Sequence, residues 1–179
     1  MATFKINGKN FATQDGTGAA TIHSDVVFPS GHIIQTQTFI HNTQSASTNT
    51  DSSTFVETPL VRAITPKVSG SKIVIQVSSP IRADGGGNQE VVQRLYYSTD
   101  GTNFSALHSK HNTFMTGNGA EMNQSFTTVD DGTGTSVVAG TERTYKVYIA
   151  LTDGTFGRYG SYLEVSNVQG CMVVTEIQT

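Results

Sequence analysis

Two runs of the chain place their apolar side chains on every second residue. In Lys72-Ile73-Val74-Ile75-Gln76-Val77 every odd position is apolar, and in Tyr145-Lys146-Val147-Tyr148-Ile149-Ala150-Leu151 the odd positions again form the greasy face. Successive side chains on a strand point to opposite faces, so each run predicts a strand with one buried side. The rest of the chain agrees. Eighteen glycines, many Thr, Val, Tyr and Phe, and few Ala, Leu, Glu or Lys favour pleated structure over helix. Further strands are predicted over residues 19–28, 32–41, 55–64, 91–98, 125–129, 162–165 and 172–177, separated by Gly, Asp, Asn, Ser and Pro. The pairs Asn7-Gly8, Asp84-Gly85, Asp100-Gly101, Asp131-Gly132 and Asp153-Gly154 offer the positive φ that tight hairpins require, which predicts antiparallel connections. The expected fold class is all-β, an antiparallel β-sandwich or jelly roll.

Charge and cysteine content exclude several functions. The chain has 179 residues, a net charge of −3 and only 14% charged residues, so it has no basic stripe to neutralise nucleic-acid phosphates. No apolar run approaches the roughly 18 residues that span a bilayer, and Met1-Ala2-Thr3-Phe4-Lys5 does not open a secretory signal. A soluble protein that neither inserts into a membrane nor leaves by that route is expected. The single cysteine, Cys171, rules out an intrachain disulfide and a multi-cysteine zinc site. It is expected to be a small buried hydrophobe in the last strand.

Two stretches read as long surface loops: 42–53, almost wholly Thr, Ser, Asn and Gln, and 110–123, with Gly117 and Gly119. Residues 1–27 differ from the rest. Phe4 to Phe11 could close a small hairpin, which alone is marginal in water and would lean on the domain, a sister subunit or another protein. The division expected is an attachment segment, 1–27, and a sandwich domain, 28–179.

No cluster of residues specifies catalysis. His108-x-x-His111 would share a face only on a helix, and its Ser, Asn and Thr neighbours argue loop or strand. His32 and His41 flank one predicted strand. Asp130-Asp131-Gly132 and Asp100-Gly101 could lend oxygens to calcium, but their spacing is that of turns. Glu57, Glu90, Glu121, Glu142, Glu164 and Glu176 are scattered, and Gly85-Gly86-Gly87 precedes no phosphate-loop Lys. Tyr96-Tyr97 must point to opposite faces if they lie on a strand; with Tyr159-Gly160-Ser161-Tyr162 they are the candidates for a subunit interface or a sugar contact. No enzyme activity, catalytic residue, cofactor or metal is expected.

Several segments in order resemble a known pattern. Phe28-Pro29-Ser30-Gly31-His32-Ile33-Ile34-Gln35, then Ser53-Thr54-Phe55-Val56-Glu57-Thr58, Ala63-Ile64-Thr65-Pro66 and Gly70-Ser71-Lys72-Ile73-Val74-Ile75, then Thr144-Tyr145-Lys146-Val147 and Met172-Val173-Val174-Thr175-Glu176-Ile177, are similar to a domain of virion structural and tail-fibre-like proteins of marine bacteriophages. The resemblance spans about 28–179. It implies a jelly-roll β-sandwich, often trimeric, that serves as a fibre, knob or capsid decoration on the virion after synthesis in the host cytoplasm, without enzyme activity. The partners it implies are further copies of the chain and other virion proteins, reached here through residues 1–27. The alternative is a tail-fibre adhesin in which loops 42–53 and 110–123 contact a host receptor or surface glycan.

Overall fold

The computed structural model describes residues 2–6, 8–14, 16, 21–22, 29–41, 48–84, 88–107, 111–116, 120–153, 156–159 and 170–179. They form β1 (Ala2–Ile6), β2 (Lys9–Gln14), β3 (Thr21–Ile22), β4 (Ile33–His41), β5 (Thr48–Thr50), β6 (Val56–Ile64), β7 (Lys72–Asp84), β8 (Asn88–Ser98), β9 (Ser105–Ala106), β10 (His111–Thr116), β11 (Ala120–Asp130), β12 (Arg143–Asp153), β13 (Phe156–Tyr159) and β14 (Gly170–Ile177). No helix occurs among the described residues.

Burial follows the alternation read from the sequence. Ile73, Ile75 and Val77 on β7 and Tyr145, Val147, Ile149 and Leu151 on β12 are all buried. They meet because β7 and β12 lie in different antiparallel sheets. One sheet runs β10-β8-β12-β6, with β9 also on β8; the other runs β4-β14-β7-β13-β5, with β11 also on β7. Leu60, Ile64, Leu95, Tyr145, Val147 and Ile149 of the first sheet share one core with Ile73, Ile75, Val77, Met172 and Val174 of the second, while Leu151 packs with Ile81 and Val91 in a smaller cluster. Two sheets closed over a common apolar layer make this a β-sandwich arrangement.

Eight strands of the two sheets, β4, β6, β7, β8, β10, β11, β12 and β14, pair in a nested order. The first pairs with the last (β4 with β14), the second with the seventh (β6 with β12), the third with the sixth (β7 with β11) and the fourth with the fifth (β8 with β10). Two further pairings, β14 with β7 and β12 with β8, join these ladders into the two sheets. β1, β2 and β3 form a separate three-stranded sheet.

Several expectations change. The predicted strand at 72–77 continues to Asp84, through Pro80. Proline cannot donate to a ladder, and on that edge of β7 it falls between partners: β14 pairs with residues 72–78 and β13 with 81–84. The expected loop 110–123 is largely strand, contributing β10 and the start of β11, while 42–53 contains β5. Polarity misled there, because strands at a sandwich surface keep polar outward faces. Of the glycines expected in hairpin turns, Gly8 lies at φ 78° between β1 and β2, where Ile6 is opposite Lys9. Gly101 and Gly132 also have positive φ, but in wider connections. The link from β11 to β12 spans residues 131–142 and passes from one sheet to the other. The 162–165 strand, most of 19–28, Gly85–Gly87 and Gly154 lie outside the described residues.

Candidate functional site

The polar groups that sequence reading offers as chemistry are largely engaged in holding loops. Glu176 has a relative exposure of 0% because the alternation that buries Met172 and Val174 also turns residue 176 inward. Its carboxylate accepts hydrogen bonds from the backbone N–H groups of Lys67 and Val68, from Ser71 Oγ (2.9 Å) and from Gln35 Nε2 (2.7 Å). Gln35 Nε2 also donates to the Thr65 carbonyl. Gln35, the 67–68 backbone and Ser71, from three separate segments, therefore converge on one buried carboxylate. That carboxylate anchors the β6–β7 connection.

A second knot closes the opposite sheet crossing. Buried Asp130 accepts from Arg143 Nε at 2.8 Å, from the Tyr145 hydroxyl at 2.7 Å and from the Gly132 N–H. The other guanidinium nitrogens donate to the Ser136 and Thr135 carbonyls, and the Arg143 guanidinium lies 5.1 Å from the Tyr97 ring centre. Burial, followed by the Asp130 charge, raises the Tyr145 phenol well above its ordinary pKa. Asp131 accepts from the Thr133 N–H, as a turn carboxylate does.

The Asp100 carboxylate is held well below the usual range by the Asn103 side chain first, then by the Asn103 and Thr102 N–H groups and Ser98 Oγ. Its donors are those of a self-contained turn. Among the described residues no group of three His, Cys, Asp or Glu side chains is arranged for a metal ion.

The other candidates are dispersed. His32 precedes β4 and His41 ends it, half-buried and stacked on Phe39, with burial lowering its pKa. His111 lies on β10 opposite Gln93, and His108 falls outside the described residues. Glu90 and Glu121 lie on β8 and β11, Glu142 precedes β12 and Glu57 is on β6; Glu164 and Tyr162 lie outside the described residues. Tyr159 pairs with Ile81 through its backbone. Cys171 corrects an expectation: it is half-buried on the outer face of its sheet. The residues facing the core are 172, 174 and 176, so 171 points the other way, into a shallow groove of about 470 Å3 with Gln76, Ser78, Ser125, Thr127 and Val173.

The adjacent tyrosines separate as strand geometry requires. Tyr97 faces the core and donates to Thr135 Oγ1. Tyr96 faces outward, where its ring centre is 4.3 Å from that of Tyr148 and 6.1 Å from that of Phe55; Phe104 lies 6.3 Å beyond Tyr148. The Asp100 turn delivers Phe104 to this cluster. Charged groups are interleaved with the rings: the Arg94 guanidinium is 5.8 Å from the Tyr96 ring centre, and Lys146 Nζ is 4.7 Å from that of Phe104 and 2.8 Å from Glu57 Oε2. Burial, then the charge of Glu57, raises the Tyr148 pKa. Tyr148 was missed as a partner of Tyr96, although both sit at even positions beside buried odd ones, Gln93 and Leu95 on β8 and Val147 and Ile149 on β12. This half-buried aromatic face is the most site-like surface among the described residues. Neither a protein-family model nor a curated protein matches the chain, so a functional reading rests on connectivity and surface chemistry.

Proposed function

We propose that the chain is a structural protein of a bacteriophage virion: a jelly-roll sandwich, assembled as a homotrimer, that acts as a capsid decoration or a short fibre or tail component and is anchored through residues 1–27. The observation that carries this reading is the nested strand pairing. A strip of eight strands folded as one long hairpin and then rolled gives first-with-last, second-with-seventh, third-with-sixth and fourth-with-fifth pairs, and double-sheet jelly rolls are recurrent in viral capsid proteins and lectins. The engagement of Asp130 and Glu176 in loop anchoring supports a scaffold over an enzyme. The middle of the outer face of the six-stranded sheet supports subunit packing: Thr36 and Thr38, Gln76 and Ser78, Ser125 and Thr127 present uncharged polar groups there, between Lys72 at one end of β7 and Arg82 near the other.

Antibodies raised against the purified chain test the reading by immunogold labelling of intact particles from a culture of its source. Labelled particles are expected. Particles with neither label nor peptides of the chain overturn it. Light scattering is expected to give three times the 19.1 kDa chain mass, and a stable monomer removes the self-assembled trimer.

A second reading, a host-attachment module that binds a surface glycan, is favoured by the outward aromatic cluster of Tyr96, Tyr148, Phe55 and Phe104. Glycan binding that survives deletion of residues 1–27 supports it.

A further inference from the structure

We infer that the outer face of the β8–β12–β6 sheet is a saccharide-binding platform, centred on Tyr96 and Tyr148. The inference rests on the glycan-binding reading above and moves the contact from the two polar stretches, 42–53 and 110–123, to a sheet face.

Four aromatic rings on an outward sheet face supply a broad apolar surface. The Tyr96 and Tyr148 rings are 4.3 Å apart between centres, and Phe55 and Phe104 extend the patch on either side. The C–H face of a pyranose ring packs on such a surface. The tyrosine hydroxyls differ in a telling way: the inward pair is bonded, Tyr97 to Thr135 and Tyr145 to Asp130. Among the described residues, the outward hydroxyls of Tyr96 and Tyr148 have no hydrogen-bond partner, so both donors can serve a ligand.

The charges select among ligands. Arg94, Lys146 and Glu57 stand between and beside the rings. A dry apolar protein surface pressed on this face would desolvate all three, at a cost that only matched polar partners offset. A saccharide brings a hydroxyl, both donor and acceptor, to each of them while leaving water at the rim. Ligand sites combine apolar lining with a few orienting polar groups in this way. A nucleic acid fits poorly, since the chain carries a net charge of −3 and Glu57 lies within the patch.

The test is binding of the full chain to a printed array of bacterial lipopolysaccharides, capsular polysaccharides and linear neutral oligosaccharides, followed by titration calorimetry with the best binder. Wild type is expected to bind at least one saccharide. Tyr96→Ala and Tyr148→Ala are each expected to weaken binding about tenfold or more. Ser125→Ala, on the outer face of the other sheet, is expected to change nothing. Should Tyr148→Ala lose its cooperative melt, Tyr148→Phe keeps the ring and is expected to weaken binding about threefold. Wild-type binding that both tyrosine variants retain overturns the platform while leaving the glycan reading in place. An array on which wild type binds nothing overturns both.

Discussion

The N-terminal sheet and the sandwich begin from the same sequence device and end in opposite environments. Ala2-Thr3-Phe4-Lys5-Ile6 alternates apolar and polar residues much as Lys72–Val77 does, and β1 pairs back on β2 with Ile6 opposite Lys9. Yet Phe4 is 60% exposed and Ile6 50%, whereas Ile73 and Ile75 are at 0%. Among the described residues no strand of the N-terminal sheet pairs with the sandwich, and its ring contact is internal, Phe4 edge-on to Phe11 at 5.7 Å. Alternation and turn chemistry thus suffice to shape a hairpin, while stability depends on a second layer to cover the apolar face.

Paired substitutions at equivalent positions would break this comparison most directly. Ile75→Asp places an unpaired charge at the centre of the core, costs several kcal/mol and is expected to abolish cooperative folding. Phe4→Asp is expected to leave the main thermal transition unchanged by circular dichroism. If both variants melt alike, the N-terminal sheet and the sandwich are one cooperative unit. Arg143→Ala comes next, since it strands the Asp130 carboxylate among buried groups. The expected loss is about 3–5 kcal/mol in urea unfolding, and a loss below 1 kcal/mol would mean that water reaches Asp130.

Tyr145 sharpens the same point through pH. Its folded-state pKa is raised, so at alkaline pH the unfolded chain gives up its phenolic proton before the folded one does. The contribution is complete below about pH 10 and is lost as pH rises beyond it. Tyr145→Phe is expected to cost about 1–3 kcal/mol at neutral pH and to show a flatter decline above pH 10. Parallel pH profiles for the two proteins would contradict a buried, neutral phenol.

Much of the sandwich was legible because its strands bury every second residue. The inward faces of β7 and β12 can be read directly from Ile73, Ile75 and Val77 and from Tyr145, Val147 and Ile149. The strands at 110–123 were not, because Thr, Asn, Gln and Ser suit an outward strand face and a loop equally well. The continuation of β7 through Pro80 depends on which strand lies alongside, and no local pattern encodes a neighbour. The Glu176 knot was missed for a similar reason: its donors come from residues 35 and 67–71, more than 100 positions away. The aromatic face was half legible, since strand geometry sends Tyr96 and Tyr97 apart, but only the β8–β12 register brings Tyr148 beside Tyr96.

The smallest expected effect is the most discriminating. Deleting residues 1–24 removes all three strands of the N-terminal sheet but none of the residues that form the two core clusters. The truncated chain is therefore expected to melt within about a degree of the full one, a shift of well under 1 kcal/mol for a domain of this size. What it should lose is attachment: an exposed apolar face carrying Phe4 and Ile6 is the kind of surface that another protein covers. Mixing labelled full-length and truncated chains with particles separates the two roles. Retention of only the full-length chain assigns residues 1–24 to docking. Precipitation of the truncated chain would instead make those strands part of the sandwich's own stability, and the contrast between the two regions would disappear.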